Sequence, residues 1–230
     1  MSEVRLMPLE GIPDVEPGVD LAKLLGDAIE RAGGLEAGDV VVVAQKVVSK
    51  AEGRIEETSD HIEVILREAR AVRRRRGELI IAETEHGFVC ASAGVDRSNA
   101  PGENVVVLLP RDPDGSAARI RDALLARFGV ALAVIVSDSF GRAWRQGTTD
   151  VAIGVAGIEP LLDLRGTKDA RGYTLESTVI AVGDELAGAA ELVMGKAAGV
   201  PAVVIRGYRV PEGEGSARDL VMPPERDLFP

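Results

Sequence analysis

The chain has 230 residues, 46% of them apolar and 28% charged, and a net charge of −10, so it can bury a substantial core as one large domain or two small ones. No apolar run reaches the roughly 18 residues of a membrane span, and Met1-Ser-Glu-Val-Arg lacks the basic-then-apolar order of a signal peptide. The acidic balance and 3% aromatic content argue against nucleic-acid partners, while the single cysteine, Cys90, excludes a disulfide framework; the expected compartment is the cytoplasm, with no membrane association.

Val4 to Leu9 reads as a first strand and Gly11-Ile-Pro-Asp14 as a turn. Asp20 caps a helix over Leu21 to Arg31, whose Leu21, Leu24, Leu25, Ala28 and Ile29 share a face, and Gly33-Gly34 ends it. Asp39 to Ala44 is a buried strand that Lys46 to Lys50 extends or follows. Thr58 or Ser59 caps a second helix to about Arg75, placing the arginines at 73–76 at its C-terminus. Leu79 to Glu83 and Gly87 to Ala91 read as paired strands, Asn104 to Leu109 as another, and Asp114 to Arg127 as a helix. Ala131 to Val136 and Val151 to Val155 are strands, Glu185 to Lys196 a small-residue helix, and Pro201 to Arg206 a late strand. Residues 1–210 form the main domain, and 211–230 read as a tail or linker. Strands and helices alternate irregularly, so the expected class is mixed α/β, or α+β, with mixed sheets.

Four clusters could carry chemistry. Gly11 to Asp14 alone is only a turn. In Gln45-Lys-Val-Val-Ser-Lys-Ala-Glu-Gly53, Lys46 and Lys50 bracket the Ser49 hydroxyl, which suits polyphosphate, although the Gly-x4-Gly-Lys-Ser/Thr spacing is absent. Asp96 ends an apolar strand, with Asn99 three residues on; Asp96 suits Mg2+ or Mn2+, and the competing reading is an Asx-turn. His86 and Cys90 read as structural residues. Asp138 and Ser139 follow the apolar run Ala131 to Val136 and could complete a metal site with Asp96. Arg142 and Arg145 could clamp a phosphate; otherwise they lie on a surface loop with Trp144 tucked into the core. Two strand-end aspartates with lysines and arginines favour a phosphoryl-transfer-related enzyme.

In order along the chain, Gly11-Ile-Pro, Val47-Val-Ser-Lys-Ala-Glu-Gly53, His86 to Asn99, Ser137 to Gly154, Asp184 to Gly195 and Gly199-Val-Pro201 closely resemble the coenzyme F420-0:L-glutamate ligase family. The resemblance implies an uncommon α/β fold in a homodimer. It also implies GTP-dependent γ-linked addition of L-glutamate to the deazaflavin precursor F420-0, through an acyl phosphate, with release of GDP and phosphate. The implied cofactors are Mg2+ or Mn2+, with K+ beside them. Carried over by residue, Gly11, Ile12, Pro13, Asp14, Gln45, Lys50 and Asn99 would contact GTP, and Met194, Gly195, Lys196, Ala197, Ala198, Gly199, Val200 and Pro201 would form another wall. Asp96 and Asp138 would bind the metal with Ser139 beside them, and Asp96, Asp138 and Lys50 are the expected catalytic residues. Gln45 stands where a hydroxyl residue is common in relatives. Lys196 departs from the glutamine of many relatives; a protonated amine cannot ligate a metal and could instead meet a phosphate. Some bacterial relatives fuse this domain to a flavin-binding reductase domain, and the tail resembles the linker to one. The rival readings are a metal-dependent nucleotide phosphohydrolase and a non-catalytic nucleotide-binding module.

Overall fold

The computed structural model describes residues 3–98, 100, 102 and 104–228. In chain order its elements are β1 (Arg5–Pro8), α1 (Leu21–Arg31), β2 (Asp39–Ala44), α2 (Gln45–Ala51), β3 (Ile55–Glu57), α3 (His61–Glu68), β4 (Ala69–Arg76), β5 (Leu79–Thr84), β6 (Val89–Ala91) and β7 (Val105–Val107). They continue with α4 (Pro113–Phe128), β8 (Leu132–Arg142), β9 (Arg145–Ala156), β10 (Leu162–Asp163), β11 (Val179–Ile180), α5 (Val182–Met194) and β12 (Ala202–Arg206).

The central sheet runs β1-β12-β2-β8-β9. Only β2 and β8 pair in parallel, and every other neighbour in it is antiparallel, so the sheet is mixed, as expected. Val40 to Val43 and Leu132 to Val136 are buried throughout. A strand buried at consecutive positions must be covered on both faces, which is why these segments read as continuous apolar runs. Helix α4 contributes Ala117, Ile120 and Leu124 to that core, and α5 contributes Leu186, Ala187 and Ala190. A second cluster joins Val64 and Ile65 of α3, Ile80 and Ala82 of β5, and Val106 of β7. The irregular segment after Pro211 packs back on the fold: Ala217 is buried, and Asp114 accepts from the Ser216 hydroxyl at 2.6 Å and from the Ala217 N–H at 3.1 Å.

Several local expectations hold. Asp20 caps α1 through a 2.9 Å bond from the Lys23 N–H, and β5 pairs with β6. The helix expected to run to Arg75 stops at Glu68, and it is Asp60 that caps it. Residues 69–76 instead pair with β5, where Arg70 and Arg73 reach Glu83 at 3.2 and 2.6 Å. The arginine run is thus on a strand, because cross-strand pairing overrides helical propensity. Lys46 to Lys50, expected to extend or follow β2, lie within α2 (Gln45–Ala51). The stretch from 137 to 150 is a long hairpin of β8 and β9 and not a strand end with a loop. Its turn leaves Trp144 78% exposed, at φ 54°, so the tryptophan is not in the core. A bulky residue in that left-handed region is unusual.

Candidate active site

The topology decides where the chemistry can be. Strands β1, β2 and β8 run in the same direction, because β12 opposes both β1 and β2, and β2 parallels β8. Their carboxyl ends therefore open on one edge of the sheet, where α/β sheets commonly hold ligands. The loop after β1, the start of α2, the end of β8 and the loop entering β12 meet there around a cleft of about 540 Å3. That size accommodates a small-molecule substrate or nucleotide.

Most of the expected residues come together. Ile12, Pro13, Asp14, Gln45, Lys50, Asp138 and Ser139 line the cleft, as do Met194, Gly195, Lys196, Ala197, Gly199, Val200 and Pro201. Gly11 and Ala198 flank these wall residues in the chain and are not wall residues themselves. Gly11 holds φ +71°, and its carbonyl accepts from Arg31 at 3.4 Å, so α1 fixes the start of that loop. Asn99 lies outside the described residues.

Helix α2 explains the lysines. Lys46 and Lys50 are four apart and share a helical face, and both reach the cleft. Ser49 does not lie between them: it is fully buried and donates to Gln45 Oε1 at 2.8 Å. The bracket of two lysines around a hydroxyl is therefore corrected to two lysines alone. Gln45 is itself buried, and its Nε2 has no hydrogen-bond partner among the described residues.

Asp96 is not part of the wall, but it is tied to it. Its backbone bridges Val107, its Oδ1 accepts from the Ser98 N–H at 2.7 Å, and its Oδ2 meets Lys46 Nζ at 2.7 Å. The Asx-turn expected as the competing reading is present, and the same side chain also holds Lys46. Burial pushes its carboxyl up, but the Lys46 ammonium and the Ser98 N–H outweigh that and hold it below the ordinary carboxylate range.

Asp138 behaves in the opposite way. Among the described residues no lysine or arginine forms an ion pair with it. Burial pushes its carboxyl up to about 7, the charges of Asp96 and Asp150 add to the rise, and the Ser139 N–H and the Lys46 charge only partly oppose it. Its alternation on β8 places it on the same side as Phe140, whose ring meets Phe88 edge-on at 6.2 Å. Ser137 and Ser139 point to the other side, where they donate to the buried Asp150 at 3.0 and 2.5 Å. Lys196 joins that group: its Nζ donates to Ser139 Oγ and lies 3.6 Å from Asp150 Oδ1.

Arg142 and Arg145 do not reach the cleft wall. They pair across the hairpin turn, where Arg142 donates to the Gln146 carbonyl at 3.1 Å. A phosphate clamp by these arginines is not what the hairpin presents. Burial pushes the Cys90 thiol up to about 12, and the His86 ring donates to the Pro110 carbonyl at 2.9 Å, so both hold structural places. Reading the sequence missed the parts played by Lys46 and Asp150. Both stood inside the motifs, but nothing local marks a partner many residues away.

Residues 11–207 match the family described as F420-0:gamma-glutamyl ligase. This chain belongs to that family. It is 44% identical to the coenzyme F420:L-glutamate ligase of Methanothermobacter thermautotrophicus over 98% of each chain. The protein of the same name from Methanopyrus kandleri is 43% identical over 98% of this chain and 97% of its own. That from Archaeoglobus fulgidus is 37% identical over 98% and 96%. The matched span of this F420-0:gamma-glutamyl ligase family member contains every residue of the cleft wall.

Proposed function

We propose that this protein joins L-glutamate to the F420-0 deazaflavin precursor through γ-linked amide bonds, using GTP and a divalent cation, and works as a homodimer. The observation that carries the reading is the near full-length similarity to ligases of that name, with the cleft falling inside the matched span.

The cation's fit rests on Asp138. It is a half-buried carboxylate pushed up by desolvation and by its carboxylate neighbours, with no ion-pair partner among the described residues. Asp138 and Asp96 would hold Mg2+ or Mn2+. Protein carboxylates alone do not build a full cage here, since no cluster of three or more candidate ligands exists among the described residues. That suits a hard cation that keeps water and shares phosphate oxygens. When bound, it supplies neutralisation of charge on the transferring phosphoryl group.

The chain's own groups do the rest. Lys50 and Lys46 offer ammonium donors from α2 to phosphate oxygens, and the loop of Ile12 to Asp14 and the Gln45 amide face the nucleotide. The acceptor's terminal carboxylate oxygen attacks the γ-phosphorus, a P–O bond forms, and the bond to GDP breaks. The glutamate amine then attacks the acyl carbon; the C–N bond forms, phosphate leaves, and the amine proton passes to solvent or a carboxylate. Positioning and charge neutralisation supply most of the catalysis in such a transfer. The test is sustained GDP release over many turnovers: it should require both glutamate and F420-0. Release at the full rate with neither present would instead make the protein a phosphohydrolase.

A further inference from the structure

Asp138 and Ser139 are adjacent on a strand, and adjacent strand residues point to opposite faces. Their surroundings differ accordingly. Asp96 and Lys46 lie near enough to Asp138 for their charges to act on it, and the lysine is held by Asp96 and by the Ser98 hydroxyl at 2.6 Å. On the Ser139 side stand Ser137, Asp150 and Lys196. Asp150 is buried and accepts both serine protons, so the Ser139 hydroxyl keeps only lone pairs for anything else. Those lone pairs receive the Lys196 ammonium, a group with three donors and no acceptor.

A hydroxyl whose proton is committed to a carboxylate, with an oxygen cluster around it, is a cation-attracting arrangement. Here that demand is met by a side chain. We infer that Lys196 is a tethered cation: it occupies the Ser139–Asp150 side of the cleft in place of a metal ion, so that the cleft takes a single divalent ion, on the Asp138 side. Ser139 is then a seat for the lysine and not a metal ligand. The lysine comes from the loop that follows α5 and is 58% exposed, so two of its donors remain available to substrate oxygens. The inference rests on the ligase reading in expecting a divalent ion at Asp138.

Binding of Mn2+ in the presence of GDP, counted by electron paramagnetic resonance, tests it without turnover. Wild type should bind one ion per chain. Lys196→Met keeps the aliphatic stem and removes the charge, leaving Asp150 and the Ser139 lone pairs uncompensated, and should bind about twice as much. Lys196→Met combined with Asp150→Asn should return to one. The position is an exposed loop, and an unchanged melting temperature of the Lys196→Met variant confirms that the fold is retained. Two ions on wild type, or one on Lys196→Met, would overturn the inference and leave the ligase reading intact. Binding by none of these proteins would overturn the inference and the metal assignment together, whereas loss of the glutamate requirement for GDP release touches only the ligase reading.

Discussion

The two sides of β8 hold similar parts in different states. On one, Lys46 and Asp96 pair at 2.7 Å, both partly buried, and the lysine is held by a second oxygen. On the other, Lys196 lies 3.6 Å from Asp150, with the carboxylate buried and the lysine more than half exposed. Asp138 shares the first side yet gains only the distant benefit of its lysine. The cleft thus distributes charge unevenly: Lys46 pairs with Asp96, Lys196 covers Asp150 from its seat on Ser139, and Asp138 has no ion-pair partner among the described residues. Desolvation first, and the charges of Asp96 and Asp150 second, raise that third carboxyl to about 7.

Breaking the tighter pair should have the larger effect. Lys46→Met removes the ammonium that pairs with Asp96 and whose charge also acts on Asp138. Glutamylation should fall by roughly 10- to 100-fold, the range expected for loss of a group that orients and neutralises a metal–phosphate site. Steady-state rates at saturating Mn2+ check this, and a rate within twofold of wild type would show that the Lys46 pair is only a surface contact.

A smaller effect lies in stability. The Asp138 carboxyl titrates higher in the folded chain than in the unfolded one, where it takes the ordinary carboxylate value of 3.8. Below that value it is neutral in both states and costs nothing. As pH rises towards about 7 the unfolded chain ionises first, so stability falls across that window. With divalent ions chelated, Asp138→Asn should remove this loss and stabilise the protein at pH 8 by about 1–2 kcal/mol, a figure reduced from the full linkage value because the side chain keeps solvent contact. At pH 4 the difference should vanish. Urea melts at the two pH values measure it, and equal differences at both would remove the titration argument.

Much of the frame was legible before any coordinates. The run at Val40 to Val43 could only be a strand buried on both faces, and Asp20 ahead of an apolar stripe marked the start of α1. The paired strands Leu79 to Glu83 and Gly87 to Ala91 carried their own turn. What failed was decided by distant partners. Residues 69–76 have a helix-compatible composition, yet β5 and Glu83 draw them into a strand. Gln45 to Ala51 became a helix at the end of β2, which turned Ser49 inward and Lys46 and Lys50 outward together. The alternative to a phosphate clamp, a surface loop with Trp144 in the core, fails too, because the hairpin carries the tryptophan beyond the core. In the site, Asp96 and Asp138 stood out because carboxylates rarely end apolar strands without a reason. Asp150 stood in an exposed-looking polar run, and only its register opposite Ser139 shows that it is buried.

Asp138 stands at the centre of the proposed chemistry. Its most direct test is mass spectrometry of F420-0 incubated with GTP, Mn2+, glutamate and either wild-type protein or Asp138→Asn. Wild type should add glutamyl units and the variant none, with the variant still folded by circular dichroism. Glutamylation retained by Asp138→Asn at a wild-type rate would contradict the account.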